Sequence, residues 1–169
     1  MKLTLMMAVT VDGMIARDHA HFPDWTCKAD KQLFKRLTQA AGVVIFGSKT
    51  YDTIGKALPD RLNVVMTRHP ERYSAQEGLM FYSDSPKQLL RELSRKGFKE
   101  AILAGGATIN SLFIKPQLVD ELLLTVSPKL FGRGITLFSE RLDLDLELIG
   151  MQQLEAGSVL LRYGILYER

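Results

Sequence analysis

One cysteine, Cys27, stands in 169 residues. A single thiol excludes an intrachain disulfide framework and a cysteine-built metal site, and it accords with a reducing, cytoplasmic setting. No stretch approaches the ~20 consecutive apolar residues of a membrane-spanning helix. The apolar opening over residues 1–9 is short and soon followed by Asp12, so it reads as a buried first strand rather than a leader peptide. Basic residues form no block. The net charge of +3 is too small and too scattered for nucleic acid, although it favours anionic small molecules. His19 and His21 have no third or fourth ligand nearby, so no metal site is expected. Neither a Ser-His-Asp nor a Cys-His arrangement stands out. No repeat, low-complexity segment or linker divides the chain.

What is present is a chain 46% hydrophobic and 24% charged, enough for one domain over residues 1–169 with a sizeable core. Residues 3–11 read as a buried strand closed by the turn Asp12-Gly13. Residues 17–25 are polar and read as a loop. Ala29, Leu33, Phe34, Leu37 and Ala40 have helical spacing over 28–41, with Gly42 as the left-handed stop. Strands are expected at 43–47, 62–67, 79–82, 100–104 and 119–126, and an antiparallel pair at 144–154 and 158–167, where Val159, Leu161, Tyr163, Ile165 and Tyr167 share a face. Helices are expected after Ser48 as N-cap, after Ser85-Pro86 with Gln88 completing the cap, and over 107–113. The pattern predicts an α/β domain: a central mixed, mostly parallel sheet of about eight strands with a C-terminal antiparallel hairpin, flanked by about four helices.

In such sheets ligands bind beyond the carboxyl ends of the strands, and several residues fall there. Gly105-Gly106 joins a strand to a helix, either as a tight turn or as a close backbone approach to an anion such as pyrophosphate. Ser48-Lys49-Thr50 opens another helix, as ordinary capping or as a second phosphate contact. Thr67-Arg68 ends a strand, where the arginine is solvated or forks onto a terminal phosphate. Asp30 sits in a helix's first turn between Trp25 and Phe34. It either offsets the helix dipole or faces inward to grip a flat, nitrogen-rich ring. Arg61 pairs with an acid or with a substrate carboxylate. Thr125 lies in a very apolar strand and needs a partner, either backbone or a carboxylate such as Asp30.

These segments together resemble the dihydrofolate reductase superfamily, which includes the pyrimidinone reductases of riboflavin synthesis. The likeness rests on the first strand and loop start over 8–16, on the spacing of Trp25, Asp30 and Phe34, on 47–51, on 58–63, on Thr67-Arg68, on Gly105-Gly106 and on Thr125. It implies an NADPH-dependent reductase. Asp30, Trp25 and Thr125 would serve catalysis. Met6, Met7, Ala8, Asp30, Phe34, Ile54, Arg61 and Thr125 would bind substrate. Ala8, Ile15, Gly47, Ser48, Lys49, Thr50, Thr67, Arg68, Ala104, Gly105, Gly106, Ala107, Thr108 and Ile109 would bind the cofactor, with Gly105 and Gly106 joined by a cis peptide. The expected partner is a small molecule, dihydrofolate or a related pterin or pyrimidine, with no nucleic acid or membrane, for a monomer or homodimer. Four departures are visible: Ala107 where a third glycine is common, Asn110 for a tyrosine, Ser48 for an arginine, and a longer loop before Trp25. Residues 128–134 resemble the pyrimidinone-reductase branch. A ribosylated aminopyrimidinone substrate, or nucleotide binding without catalysis, are the alternatives.

Overall fold

The computed structural model describes residues 1–19, 21, 24–74 and 76–167. Ala20, Phe22 and Pro23, within the loop expected over 17–25, lie outside the described residues. The chain folds as β1 (Lys2–Thr10), β2 (Met14–Ala16), α1 (Lys28–Ala41), β3 (Val43–Gly47), α2 (Ser48–Ile54), β4 (Leu62–Met66), β5 (Leu79–Tyr82), α3 (Pro86–Arg95), β6 (Glu100–Leu103), α4 (Ala107–Ile114), β7 (Glu121–Ser127), β8 (Ile135–Thr136), β9 (Asp145–Gln153) and β10 (Val159–Leu166). Eight strands form one sheet in the order β5-β4-β3-β6-β1-β7-β10-β9. The neighbours from β5 to β7 pair in parallel, and β10 pairs antiparallel with both β7 and β9. The expected α/β architecture is what forms.

The middle strands read as continuous apolar runs because both faces are covered. One face carries Leu3, Leu5, Val43, Ile45, Val64 and Leu103 against Leu89 and Leu93 of α3 and Phe113 and Ile114 of α4. The other carries Met6, Ile102 and Leu123 against Leu33, Phe34 and Leu37 of α1. Gly42 ends α1 at φ 73°, and the Ser85 hydroxyl accepts from the Gln88 amide at the start of α3. The Gly105-Gly106 peptide is cis.

Some expectations are corrected. β1 stops at Thr10, and Val11 is 63% exposed. The N-cap of α2 is Gly47, and Ser48 is already helical. Ala40 faces solvent, while Thr38 and Ala41 turn inward. The two-stranded sheet β2-β8 has no sequence signature, since three and two residues are too few to show a period.

Candidate active site

Helix α1 inverts the usual rule of burial. Its buried residues are Asp30, Thr38 and Ala41, whereas Leu33, Phe34 and Leu37 stay half-exposed. A carboxylate with only 8% exposure beside uncovered apolar side chains marks the wall of a cleft rather than a finished core. The helix starts beyond the ends of β1 and β7 because it packs back down the sheet onto Met6 and Leu123. Ala8 pairs in register with Thr125, one step past the Met6 and Leu123 pair and on the same face. Thr125 is 1% exposed. Among the described residues the Asp30 carboxylate and the Thr125 hydroxyl form no hydrogen bond to each other or to any other protein group, so the expected direct pairing is not observed.

The first turn of α1 is fastened at two points. The Cys27 sulfur accepts from the Asp30 amide at 3.4 Å, and the Glu155 carboxylate, from the turn between β9 and β10, accepts from the Ala29 amide at 2.7 Å. Trp25 stands just before this turn. Its buried indole nitrogen has no hydrogen-bond partner among the described residues, and its ring meets Phe131 edge-on at 5.3 Å. Phe131 is held in turn by Asp12, whose carboxylate accepts from the Thr10 hydroxyl at 2.5 Å, the Gly132 amide at 2.7 Å and the Phe131 amide at 3.2 Å. The Thr10 hydroxyl foremost, then the Gly132 amide, hold the Asp12 carboxyl below its ordinary range, with burial opposing. The Arg17 guanidinium lies 4.3 Å over the Phe131 ring. His21 accepts from the Arg17 amide at 3.0 Å. Asp12 and Phe131 were not anticipated as site residues, since Asp12-Gly13 carried only a turn signal.

Arg61 is 9% exposed and fixed in orientation. Its Nε donates to the Pro59 carbonyl at 2.8 Å and its Nη1 to the Thr38 hydroxyl, which donates onward to the Phe34 carbonyl at 2.6 Å. Burial pushes the guanidinium below its ordinary pKa, with Asp60 opposing. The loop that presents it is shaped by buried Asn63, whose side chain bonds Leu58 at both amide and carbonyl. A cavity of about 450 Å³ opens beside Arg61, between Leu58, Pro59, Glu77 and Gly78. Thr38 was missed. Its signal was a β-branched hydroxyl inside a helix, four residues after Phe34, where it can bond the preceding turn.

Across the strand ends, two helices begin side by side. Gly47 and Gly106 are the N-caps of α2 and α4, and neither helix has a side-chain cap. Their first amides are therefore free for an anion. The Gly47 amide donates to the Gly105 carbonyl at 2.8 Å. A Cβ on Gly47 would stand 2.7 Å from Ile109 Cγ1, one on Gly105 2.9 Å from the Met7 sulfur, and one on Gly106 3.6 Å from the Thr50 hydroxyl. The donor set and the close backbone packing fit the pyrophosphate of a dinucleotide. Lys49 and Arg68 are exposed, at the start of α2 and just past β4. Ala104 and Ile109 line this side. Ala107 is buried, and Thr108 is exposed at the start of α4. Ile15 lies in β2 across from β8. Met7 packs its side chain on Gly105, on the opposite face of β1 from Met6 and Ala8, so its side chain is not part of the acid-lined cleft. Asn110 is fully buried. Its amide donates to the Leu137 carbonyl at 2.8 Å, and its Oδ1 has no partner among the described residues.

A buried acid in an apolar cleft, facing paired helix N-termini across parallel strand ends, belongs to an NADP-dependent oxidoreductase. The chain is a member of the dihydrofolate reductase family, whose model matches residues 2–153. It is 30% identical over 158 residues to dihydrofolate reductase type 3 of Salmonella typhimurium, covering 94% of this chain and 88% of that one. Its fold is similar to that of dihydrofolate reductase from Enterococcus faecalis in complex with NADP(H), with a TM-score of 0.77, 21% identity and coverage of 97% and 96%. It is equally similar to the diaminohydroxyphosphoribosylaminopyrimidine deaminase/5-amino-6-(5-phosphoribosylamino)uracil reductase of Thermotoga maritima, with a TM-score of 0.80, 19% identity and coverage of 98% of this chain and 56% of that one. No helix among the described residues is long and apolar enough to cross a membrane.

Proposed function

We propose that this protein is a cytoplasmic enzyme that reduces 7,8-dihydrofolate to 5,6,7,8-tetrahydrofolate with NADPH. The observation that carries the reading is Asp30, only 8% exposed in the cleft wall, whose carboxylate meets no donor among the described residues. Such a group is costly to bury unless a ligand supplies donors. A pterin ring offers two, a ring N–H and an exocyclic amino group, spaced for the two carboxylate oxygens. That pairing fixes which face of the ring meets the nicotinamide. The uncapped first-turn amides of α2 and α4, with Thr67 and Arg68, would hold NADPH, which would supply the hydride. The negative charge of Asp30 favours a protonated ring, and the proton enters on the side of the Trp25 indole, whose nitrogen meets no partner among the described residues. Thr125, in register with Ala8 and 1% exposed, lines the same face of the sheet beneath the cleft. Leu33, Phe34 and Ile54 exclude bulk water, which strengthens the charge interactions inside. Arg61, held by Thr38 and Pro59, takes the glutamate carboxylate of the substrate tail, a charged hydrogen bond that contributes roughly 1.5–3 kcal/mol.

A second reading keeps the cofactor and changes the substrate to a phosphoribosylated aminopyrimidinone. The same oriented guanidinium accepts a phosphate as readily as a carboxylate, and the likeness in fold to the Thermotoga maritima reductase accords with it. The test is loss of NADPH absorbance with each substrate in parallel, for the parent and for Arg61→Leu. The expected result is turnover of dihydrofolate with KM raised about tenfold in the variant and kcat little changed. Turnover of the aminopyrimidinone alone would replace the first reading with the second, and turnover of neither would sink both.

A further inference from the structure

Leu3, Leu5 and Met7 alternate along β1 onto the face of the sheet that α4 covers. Leu3 and Leu5 are fully buried there, and Met7 is the first of the row to be half-exposed. The change has a topological cause. β6 accompanies β1 only as far as the Leu5 and Leu103 pair, after which its chain turns away through Gly105-Gly106 into α4. Met7 therefore stands beside that turn, at the carboxyl ends of the strands, where ligands of such sheets bind. Its Sδ and Cε both lie 2.9 Å from the point a Cβ on Gly105 would occupy, and the Asn110 Oδ1 lies 3.7 Å from the same point. That oxygen is buried and has no partner among the described residues, while the Asn110 side-chain nitrogen donates to the Leu137 carbonyl. The Gly105 carbonyl accepts from the Gly47 amide at 2.8 Å, the bond that joins the starts of α2 and α4. A half-exposed thioether thus presses on the turn that sets both uncapped helix starts.

We propose that the Met7 thioether is an oxidation site that switches off cofactor binding and, on the reading of α2 and α4 as the NADPH grip, that bound cofactor shields it. Hydrogen peroxide is the oxidant. A sulfur lone pair attacks one peroxide oxygen and the O–O bond breaks. That oxygen stays on sulfur as the sulfoxide, and its proton passes to the leaving hydroxide, which departs as water. Sulfur gives up two electrons and peroxide takes them. The step turns a flexible apolar side chain into a bulkier polar one. On the Gly105 side the new oxygen finds no room, and the polar atom there, Asn110 Oδ1, is an acceptor like itself. The sulfoxide must turn its oxygen into the cleft, across the seat of the cofactor, or push Gly105 off its bond to Gly47. Either movement spoils the anion grip. The other methionines lack this setting: Met6, on the opposite face, is 3% exposed, and Met151, three strands away in β9, is 72% exposed.

Peptide mapping by tandem mass spectrometry tests this on the full chain, after brief exposure to dilute hydrogen peroxide with and without saturating NADP+. Met7 sulfoxide should form in the free protein and at least about fivefold more slowly with the nucleotide bound, since susceptibility follows exposure. Met151 should oxidise at one rate in both samples. Fluorescence titration should show NADPH binding to the oxidised protein weakened at least about tenfold. Met7→Leu removes the sulfur with little change in volume, and whatever its starting affinity, peroxide should alter it by less than about twofold. Met7 left intact while Met151 reacts, or an equal loss of affinity in Met7→Leu, would overturn the proposal. A parent that binds NADP+ without shielding Met7 overturns it alone, whereas a parent that binds no NADP+ ends the cofactor reading with it.

Discussion

On one side of the strand ends, α2 and α4 present backbone amides and glycines. On the other, α1 presents Asp30 and Phe34, and the Leu58–Asn63 turn presents Arg61. The first wall works by the absence of side chains: Gly47 and Gly105 let Ile109 and Met7 approach more closely than any Cβ allows. It can hold what every dinucleotide shares, a pyrophosphate, and it is indifferent to the rest. The second wall works by side chains placed against the ordinary rule, an acid and a hydroxyl buried while the leucines packed on the sheet stay half-exposed. On the proposed reading, selectivity for one heterocycle would reside on α1 and its neighbours, and the common cofactor grip in backbone. Substitutions should split accordingly.

The largest effect is expected at Asp30. Asp30→Asn keeps size and shape but removes the charge and one acceptor, so kcat should fall at least about 100-fold. NADPH affinity, measured by fluorescence titration, should stay within about twofold, since among the described residues Asp30 makes no hydrogen bond to α2 or α4. Equal losses in both would erase the division between them. Next comes the other wall. Gly47→Ala drives a methyl into Ile109 Cγ1, 2.7 Å away. Overpacking of this kind costs about 1–3 kcal/mol and displaces the first turn of α4. NADPH dissociation should rise about tenfold, and the thermal midpoint should drop, while the affinity for substrate at saturating cofactor should hold. If substrate affinity fell instead, the assignment of the glycine wall to the cofactor would be wrong.

The same contrast explains what could be read in advance. Asp30 betrayed itself by sitting among Leu33, Phe34 and Leu37 at helical spacing. Gly42 and Ser85 carried local chemistry that needs no tertiary context, and both act as expected. Ser48 misled because a serine at a helix start is the commonest cap, yet here the cap must be Gly47 for Ile109 to fit. Thr38 and Asp12 were hidden for a different reason. Each acts on a partner remote in sequence, Arg61 at 23 positions and Phe131 at 119, and no periodicity reports a contact between distant turns. The β2-β8 pair, at three and two residues, is likewise fixed only by tertiary packing.

Glu155 belongs to this hidden class and gives the subtlest expectation. It lies 126 positions from Ala29, in a turn of the hairpin that otherwise only closes the sheet. Its carboxylate takes one of the free amides at the start of α1, where a negative charge is favoured by the helix dipole. Cys27 caps the next amide only through sulfur at 3.4 Å, a weak acceptor. The orientation of Asp30 thus depends in part on a residue from the far end of the chain. Glu155→Ala should lower kcat about threefold, the scale of one exposed charge-assisted hydrogen bond, with KM for NADPH unmoved. Glu155→Gln, which keeps an acceptor oxygen at the same reach, should restore most of the loss. A variant whose kcat and KM both match the parent would show that α1 holds its acid in place through its packing on Met6 and Leu123 alone. The hairpin would then matter only as a sheet edge.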